Sequence, residues 1–189
     1  MITVAELWAQ QSNIFASLHR RQSDLARYAY TIRSLRLLDV SRDETYQRTF
    51  NGLYMVRRNV HWRSKFYSML ETCKAEPRPN FRTVLSQLFQ DTGRVEASFA
   101  SKLVATIDPG LPIYDSIVRQ NLDLQQRAGR RSDRLELLAT DYAFIQAHSS
   151  EQTQTGIFRR LRAEFDDQFA EFVEFSDTKV LDLMIWQMR

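Results

Sequence analysis

The sequence predicts an all-α protein, one domain folded as a single helical array over residues 1–189. Three observations carry that expectation. Apolar residues recur at i, i+3, i+4 and i+7 in several segments, the period of a helix with one buried face. Those segments are bracketed by capping residues and by the proline loops "AEPRPN" and "DPGLP". No stretch alternates apolar with polar residues long enough to make a strand. The length fills one core and is too short for two. Hydrophobic residues at 43% and charged ones at 26% match an average globular domain, which excludes a fibre and a disordered chain.

The opening "MITVAELWAQQSNIF" lacks the basic start, unbroken apolar run and small-residue site of a secretory leader. The most apolar stretch, "VLDLMIWQM", is too short to span a bilayer and carries Asp182. A cytoplasmic protein without membrane contact is expected. The segment from Arg42 to Lys74 reads as the longest helix, with Gly52 a weak point. Leu53, Val56, Val60, Tyr67 and Leu70 would form one buried face, and Trp62, Phe66 and Met69 its neighbour. Arg57, His61 and Lys65 would share a third face, with Arg58 beside them. Asn80 then caps a helix carrying Phe81, Val84, Leu85, Leu88 and Phe89 on one stripe, which Gly93 closes. A helix over 95–107 must end by Asp108, because Pro109 and Pro112 lack amide donors. The chain is expected to run extended from Leu111 to Tyr114 and to re-enter a helix, "SIVRQNL", on Asp115 as N-cap. Gly129 marks a turn within "QQRAGRRSDR", ahead of the helix "RLELLATDYAFIQAH". Phe158, Leu161, Phe165, Phe169 and Phe172 form a further apolar stripe opposite Arg159, Arg160, Arg162, Asp166 and Asp167.

Cys73 is the single cysteine, which excludes an internal disulfide and a cysteine-ligated cluster. His19, His61 and His148 lie far apart, so neither a metal nor another cofactor is expected. The formal net charge is +3 and the pI about 9.2. Lysine stands only at Lys65, Lys74, Lys102 and Lys179, the other basic residues being arginine. Guanidinium groups suit bidentate phosphate contacts, as a nucleic-acid binder needs, although the codon bias of a GC-rich genome explains the arginines equally well, since acidic residues are interleaved throughout. Two clusters qualify as phosphate contacts: Arg57, Arg58, His61 and Lys65, and Arg130, Arg131 and Arg134 with Arg127.

An aspartate before a helix is most often a cap and nothing more. Here it belongs to a longer pattern: a turn at Gly93, a helix, a proline-marked loop, then Asp115 with Val118 and Arg119 behind it. This resembles the helix-hairpin-helix superfamily of DNA glycosylases, whose motif ends in P-x-V-D-x-x-V-x-R. Pro112, Ile113, Tyr114, Asp115 and Val118 follow that form, with Tyr114 in place of valine, Gln120 in place of arginine and Arg119 one position early. The longer stretch "ASFASKLVATIDPGLPIYDSIV", with "SDTKVLDLMIWQ", resembles a set of uncharacterised bacterial proteins related to that superfamily. The motif covers about residues 86–124.

The resemblance implies a helix-hairpin-helix glycosylase-like core, double-stranded DNA as partner, and a catalytic role for Asp115 in stabilising the cationic sugar as the base departs. Gly93 and Arg94 would hold a phosphate at the hairpin, although the family carries two glycines there and this chain has one. Bifunctional members place a nucleophilic lysine near the position of Ala97; Lys102 lies more than a turn further on, so the expected activity is monofunctional, with water as nucleophile. The competing expectation is a helical module of the same shape that binds nucleic acid or protein and has no chemistry.

Overall fold

The computed structural model describes residues 2–75, 79–124 and 131–188, with the side chains of 131 and 132 outside the description. The described chain is helical throughout, with no strand among its residues. In order it forms α1 (Val4–Ala9), α2 (Gln11–Arg20), α3 (Gln22–Ser34), α4 (Glu44–Leu53), α5 (Val60–Cys73), α6 (Phe81–Thr92), α7 (Ala97–Ile107), α8 (Ser116–Asn121), α9 (Arg131–Thr153), α10 (Gly156–Gln168), a 3-10 turn Ala170–Phe172, and α11 (Asp177–Gln187). No described helix is long and apolar enough to cross a membrane.

Helix α7 is the axis of the array. Ala97, Phe99, Ala100, Leu103, Val104 and Ile107 are all buried, and so are Ser101 and Thr106. A helix buried all round must satisfy its hydroxyls locally. Thr106 donates to the Lys102 carbonyl, and Ser101 faces the loop that follows the helix. Around this axis lies one continuous apolar cluster, to which every described α-helix contributes. Phe50, Trp62, Phe66, Tyr67 and Phe99 interlock on one side, with ring centroids 4.7–6.1 Å apart in their shared contacts. Each such fully buried ring stabilises the fold by ~1.5–3 kcal/mol.

The capping residues sit where the sequence places them. Asn80 accepts from the Thr83 amide at 3.0 Å and opens α6. Gly93 closes it with φ +68°, a left-handed conformation that glycine adopts without a Cβ clash. Asp115 opens α8, and Ser176 opens α11.

One expectation is overturned. Arg42 to Lys74 is not a single helix but two, α4 and α5, separated by residues 54–59. The break lies after Leu53 and not at Gly52. The Tyr54 amide closes α4 on the Phe50 carbonyl, the Val56 amide reaches back to Asn51, and Met55 turns left-handed between them. Asn59 then caps α5 by accepting from the Trp62 amide at 2.9 Å. Two good caps at either end of six residues outcompete helix propensity through the middle. Consequently Val60, expected on a buried face, is 72% exposed at the first turn of α5, and Arg57 and Arg58 stand on a loop.

The stretch "PGLPIYDSIV" breaks the helical run for a structural purpose. Its backbone groups are satisfied by three neighbouring elements. Ser101 of α7 accepts from the Tyr114 amide at 2.9 Å, Tyr142 of α9 donates to the Pro112 carbonyl at 2.9 Å, and Ser176 at the start of α11 donates to the Pro109 carbonyl. The loop is thus clamped between α7, α9 and α11, and Asp115 emerges at a fixed place.

Candidate functional site

A cavity of about 350 Å³ opens at the end of that clamped loop. Its walls come from five parts of the chain: Arg21, Asp24 and Tyr28 at the start of α3, Tyr54 and Met55 after α4, Ser98 and Lys102 on α7, Asp115 to Ile117 at α8, and Lys179, Asp182 and Trp186 on α11. That volume falls in the range of small-molecule sites, roughly 300–1,000 Å³.

Asp115 divides its carboxylate between two tasks. Oδ1 accepts from the Ile117 and Val118 amides, both at 2.9 Å, and so caps α8. Oδ2 accepts from the Trp186 indole nitrogen at 3.1 Å. The Arg21 guanidinium lies 4.4 Å from the centroid of the same Trp186 ring and pairs with Asp24 at 3.2 Å. Trp186 is therefore held on one face by a cation and at its nitrogen by a carboxylate, a fixed aromatic wall.

Two lysines face the same space from different helices. On α11, Lys179 pairs with Asp182 at 3.1 Å, their side chains only 9% and 11% exposed, and its ammonium lies 4.4 Å from the Tyr28 ring centroid. Burial alone would lower the Lys179 amine, but Asp182, Tyr54 and Asp115 together hold it above its ordinary value. Burial pushes the Asp182 carboxyl up, against the pull of Lys179. On α7, Lys102 donates to Ser98 Oγ at 2.9 Å and lies over the Tyr54 and Phe99 rings. Burial lowers the Lys102 amine, and the carboxylates of Asp115 and Asp182 oppose that shift. Among the described residues it has no salt-bridge partner. The cavity therefore holds carboxylates and amines in near balance, within aromatic walls.

A second concavity, more open and more polar, lies along the start of α5 and the end of α6. It is lined by Arg57, Arg58, His61, Lys65, Asp91 and Arg94. The sequence placed the first four together and Arg94 elsewhere; the short connection between α6 and α7 brings Arg94 to them. They are not equivalent. Arg58 grips the buried Glu96 with two bonds, at 3.0 and 3.1 Å, and stands over the Trp62 and Phe99 rings. Lys65 donates to the Asp91 carbonyl. Arg57, His61 and Arg94 are exposed. Gly93 is exposed beside them, but its own amide donates to the Phe89 carbonyl and the Arg94 amide to Thr92 Oγ1, so neither points outward unused.

Of the other basic cluster, Arg127 and Arg130 and the side chain of Arg131 lie outside the described residues. Arg134 is half-buried on α9. Lys102, set aside on spacing, shares the cavity wall with Asp115. Lys179 and Asp182 were missed altogether. Their signal was present: two charges three residues apart within an otherwise apolar helix, a placement that needs a partner or a function. Arg21, Asp24 and Tyr28 carried no signal, because nothing in the order of residues says that α3 meets α11.

No family model, curated protein or solved structure matches this chain.

Proposed function

We infer that the cavity is the active site of a monofunctional N-glycosylase-type hydrolase that removes a damaged or modified base from double-stranded DNA. The observation that carries this reading is the divided carboxylate of Asp115, with one oxygen spent on the α8 cap and the other presented at the cavity beside Trp186.

The chemistry follows from charge. As the bond between the base nitrogen and C1′ breaks, its electron pair leaves with the base and positive charge develops on the sugar. A fixed carboxylate in a site screened from water stabilises that charge. A water molecule then bonds through oxygen to C1′, and its proton passes to a carboxylate. The departing base requires a proton in turn. Lys102, an amine held below its ordinary value in the same cavity, is suited to supply one. The Trp186 ring, held by Arg21 on one side, would stack a planar base. The basic groove at Arg57, His61 and Arg94 would hold phosphates of the strand.

An excision assay tests the reading. Duplexes with alkylated, deaminated or oxidised bases are incubated with the protein, and released base and abasic sites are quantified. Release by the wild type that Asp115→Asn abolishes, without loss of fold, supports the assignment. If no duplex is cut and an abasic-site duplex is bound no better than undamaged DNA, the reading fails.

A second reading, a helical module that binds nucleic acid without chemistry, draws support from the groove, whose exposed cations would serve a binder unchanged. The two readings part at Asp115→Asn, which a pure binder tolerates.

A further inference from the structure

Tyr54 closes α4 and packs its ring against Phe50, centroids 4.7 Å apart. A phenylalanine would serve that packing equally well, so the hydroxyl needs a reason of its own. Buried hydroxyls are satisfied as a rule, because an unmade hydrogen bond costs the full desolvation of the group. Tyr67, which also packs on Phe50, follows the rule by donating to Asn51 Oδ1 at 2.8 Å, and Tyr142 donates to the Pro112 carbonyl. The Tyr54 hydroxyl is buried and bonds to nothing among the described residues. Other buried polar atoms in that position belong to Tyr46, Trp62 and Arg134, none of which lines the Asp115 cavity; Tyr54 does.

The groups around this hydroxyl are already committed. Thr106 gives its proton to the Lys102 carbonyl, and the Asp182 carboxylate holds Lys179 at 3.1 Å. Burial keeps the phenol above its ordinary value, so it carries its proton at neutral pH and offers it as a donor. Lys102, its Nζ 5.4 Å from the centroid of the Tyr54 ring, donates to Ser98 Oγ and has no salt-bridge partner among the described residues. This part of the wall therefore presents unspent O–H and N–H donors to the cavity. We propose that Tyr54 and Lys102 select a base carrying a carbonyl oxygen where the normal base carries an amino group, that is, a deaminated cytosine or adenine. This rests on the reading of the cavity as a site for an extruded base. Deamination turns an exocyclic donor into an acceptor, and a wall of donors pairs with the second and leaves the first unmatched. The same contacts serve the chemistry. When the bond to C1′ breaks, its electron pair leaves on the base nitrogen and spreads onto the carbonyl oxygen, where the two donors stabilise it.

The test uses the full chain, duplexes carrying uracil or hypoxanthine beside duplexes carrying an alkylated or an oxidised base, and the variant Tyr54→Phe. That variant deletes one buried, unpaired hydroxyl and keeps the ring, so it should melt no lower than the wild type. The wild type should release uracil and hypoxanthine, and Tyr54→Phe should release them more slowly by about tenfold or more. A lower melting temperature for the variant would return the hydroxyl to the fold and overturn its role in selection, as would equal release of deaminated bases by both proteins. Release of alkylated or oxidised bases alone would overturn the proposal and leave the glycosylase reading standing. Release from no duplex would overturn both.

Discussion

The cavity and the basic groove are both concavities that carry charged side chains, and they differ in what those charges are attached to. In the cavity, opposite charges meet at different depths: Lys179 with Asp182 is buried, Arg21 with Asp24 is 33% and 29% exposed, and Lys102 near Asp115 is half-buried. In the groove, part of the charge is structural and part faces solvent. Arg58 is bound to Glu96, whereas Arg57, His61 and Arg94 are open. Desolvated charges interact strongly and are costly to leave unpaired, while exposed ones are screened within about 8 Å at physiological salt. On the proposed reading, the first region would serve chemistry on a small group and the second attraction of a charged polymer.

The sharpest break in this contrast is at the buried pair. Asp182→Asn leaves the Lys179 ammonium without its counter-charge and should cost about 3–5 kcal/mol in denaturant unfolding. The double variant Lys179→Met with Asp182→Leu should return to within about 1 kcal/mol of the wild type, because two apolar side chains of similar volume remove both desolvation costs. If Asp182→Asn unfolds like the wild type, the cavity wall is wetter than its geometry implies.

Asp115 comes next and separates cap from catalyst. Asp115→Asn keeps a capping oxygen and should lie within about 0.5 kcal/mol of the wild type in stability, while any base excision falls by about 10²–10³-fold. Asp115→Ala should lose a further ~1 kcal/mol of stability, measured in the same unfolding series.

Lys102 sharpens the cavity side through pH. Its folded value lies below the ordinary 10.5, so between the two the unfolded chain binds more protons than the native one. Its contribution to stability therefore rises with pH across that window and is unfavourable at neutral pH. Lys102→Met should be more stable than the wild type at pH 7, with the difference shrinking as pH approaches 10.5. Chemical unfolding at pH 7, 9 and 10.5 reads that difference. An unchanged difference would mean that the amine is better solvated than its surroundings suggest.

The groove should give the smallest effect on folding and a distinct signature in binding. Arg57→Ala and Arg94→Ala should each change stability by less than about 0.5 kcal/mol. If DNA lies in the groove, each should also flatten the dependence of log K on log salt by about 1. Glu96→Gln is the internal contrast: it loosens the buried Arg58 pair and should cost stability, by about 1–3 kcal/mol.

Much of the architecture was legible in the order of residues, because helix periods and caps are local. Asn80, Gly93 and Asp115 hold the positions that their chemistry predicts, and the proline loop breaks the chain between Asp108 and Asp115 as expected. The failure over Arg42–Lys74 is instructive. Its apolar spacing continues through Met55, but the turn there is closed by two backbone bonds and a left-handed residue that is not glycine. A propensity argument assigns such a residue to a helix.

The site was legible only at Asp115. A capping aspartate after a proline loop is a local feature, and so is an arginine cluster. The wall around Asp115 is assembled from α3, the end of α4, α7 and α11, segments as far apart in the chain as Arg21 and Trp186. Local sequence determined the helices, their ends and the carboxylate that opens α8. Tertiary packing decided which charges meet it and that Arg94 joins the Arg57 groove, because those neighbours are set by how helices pack and not by how each one forms.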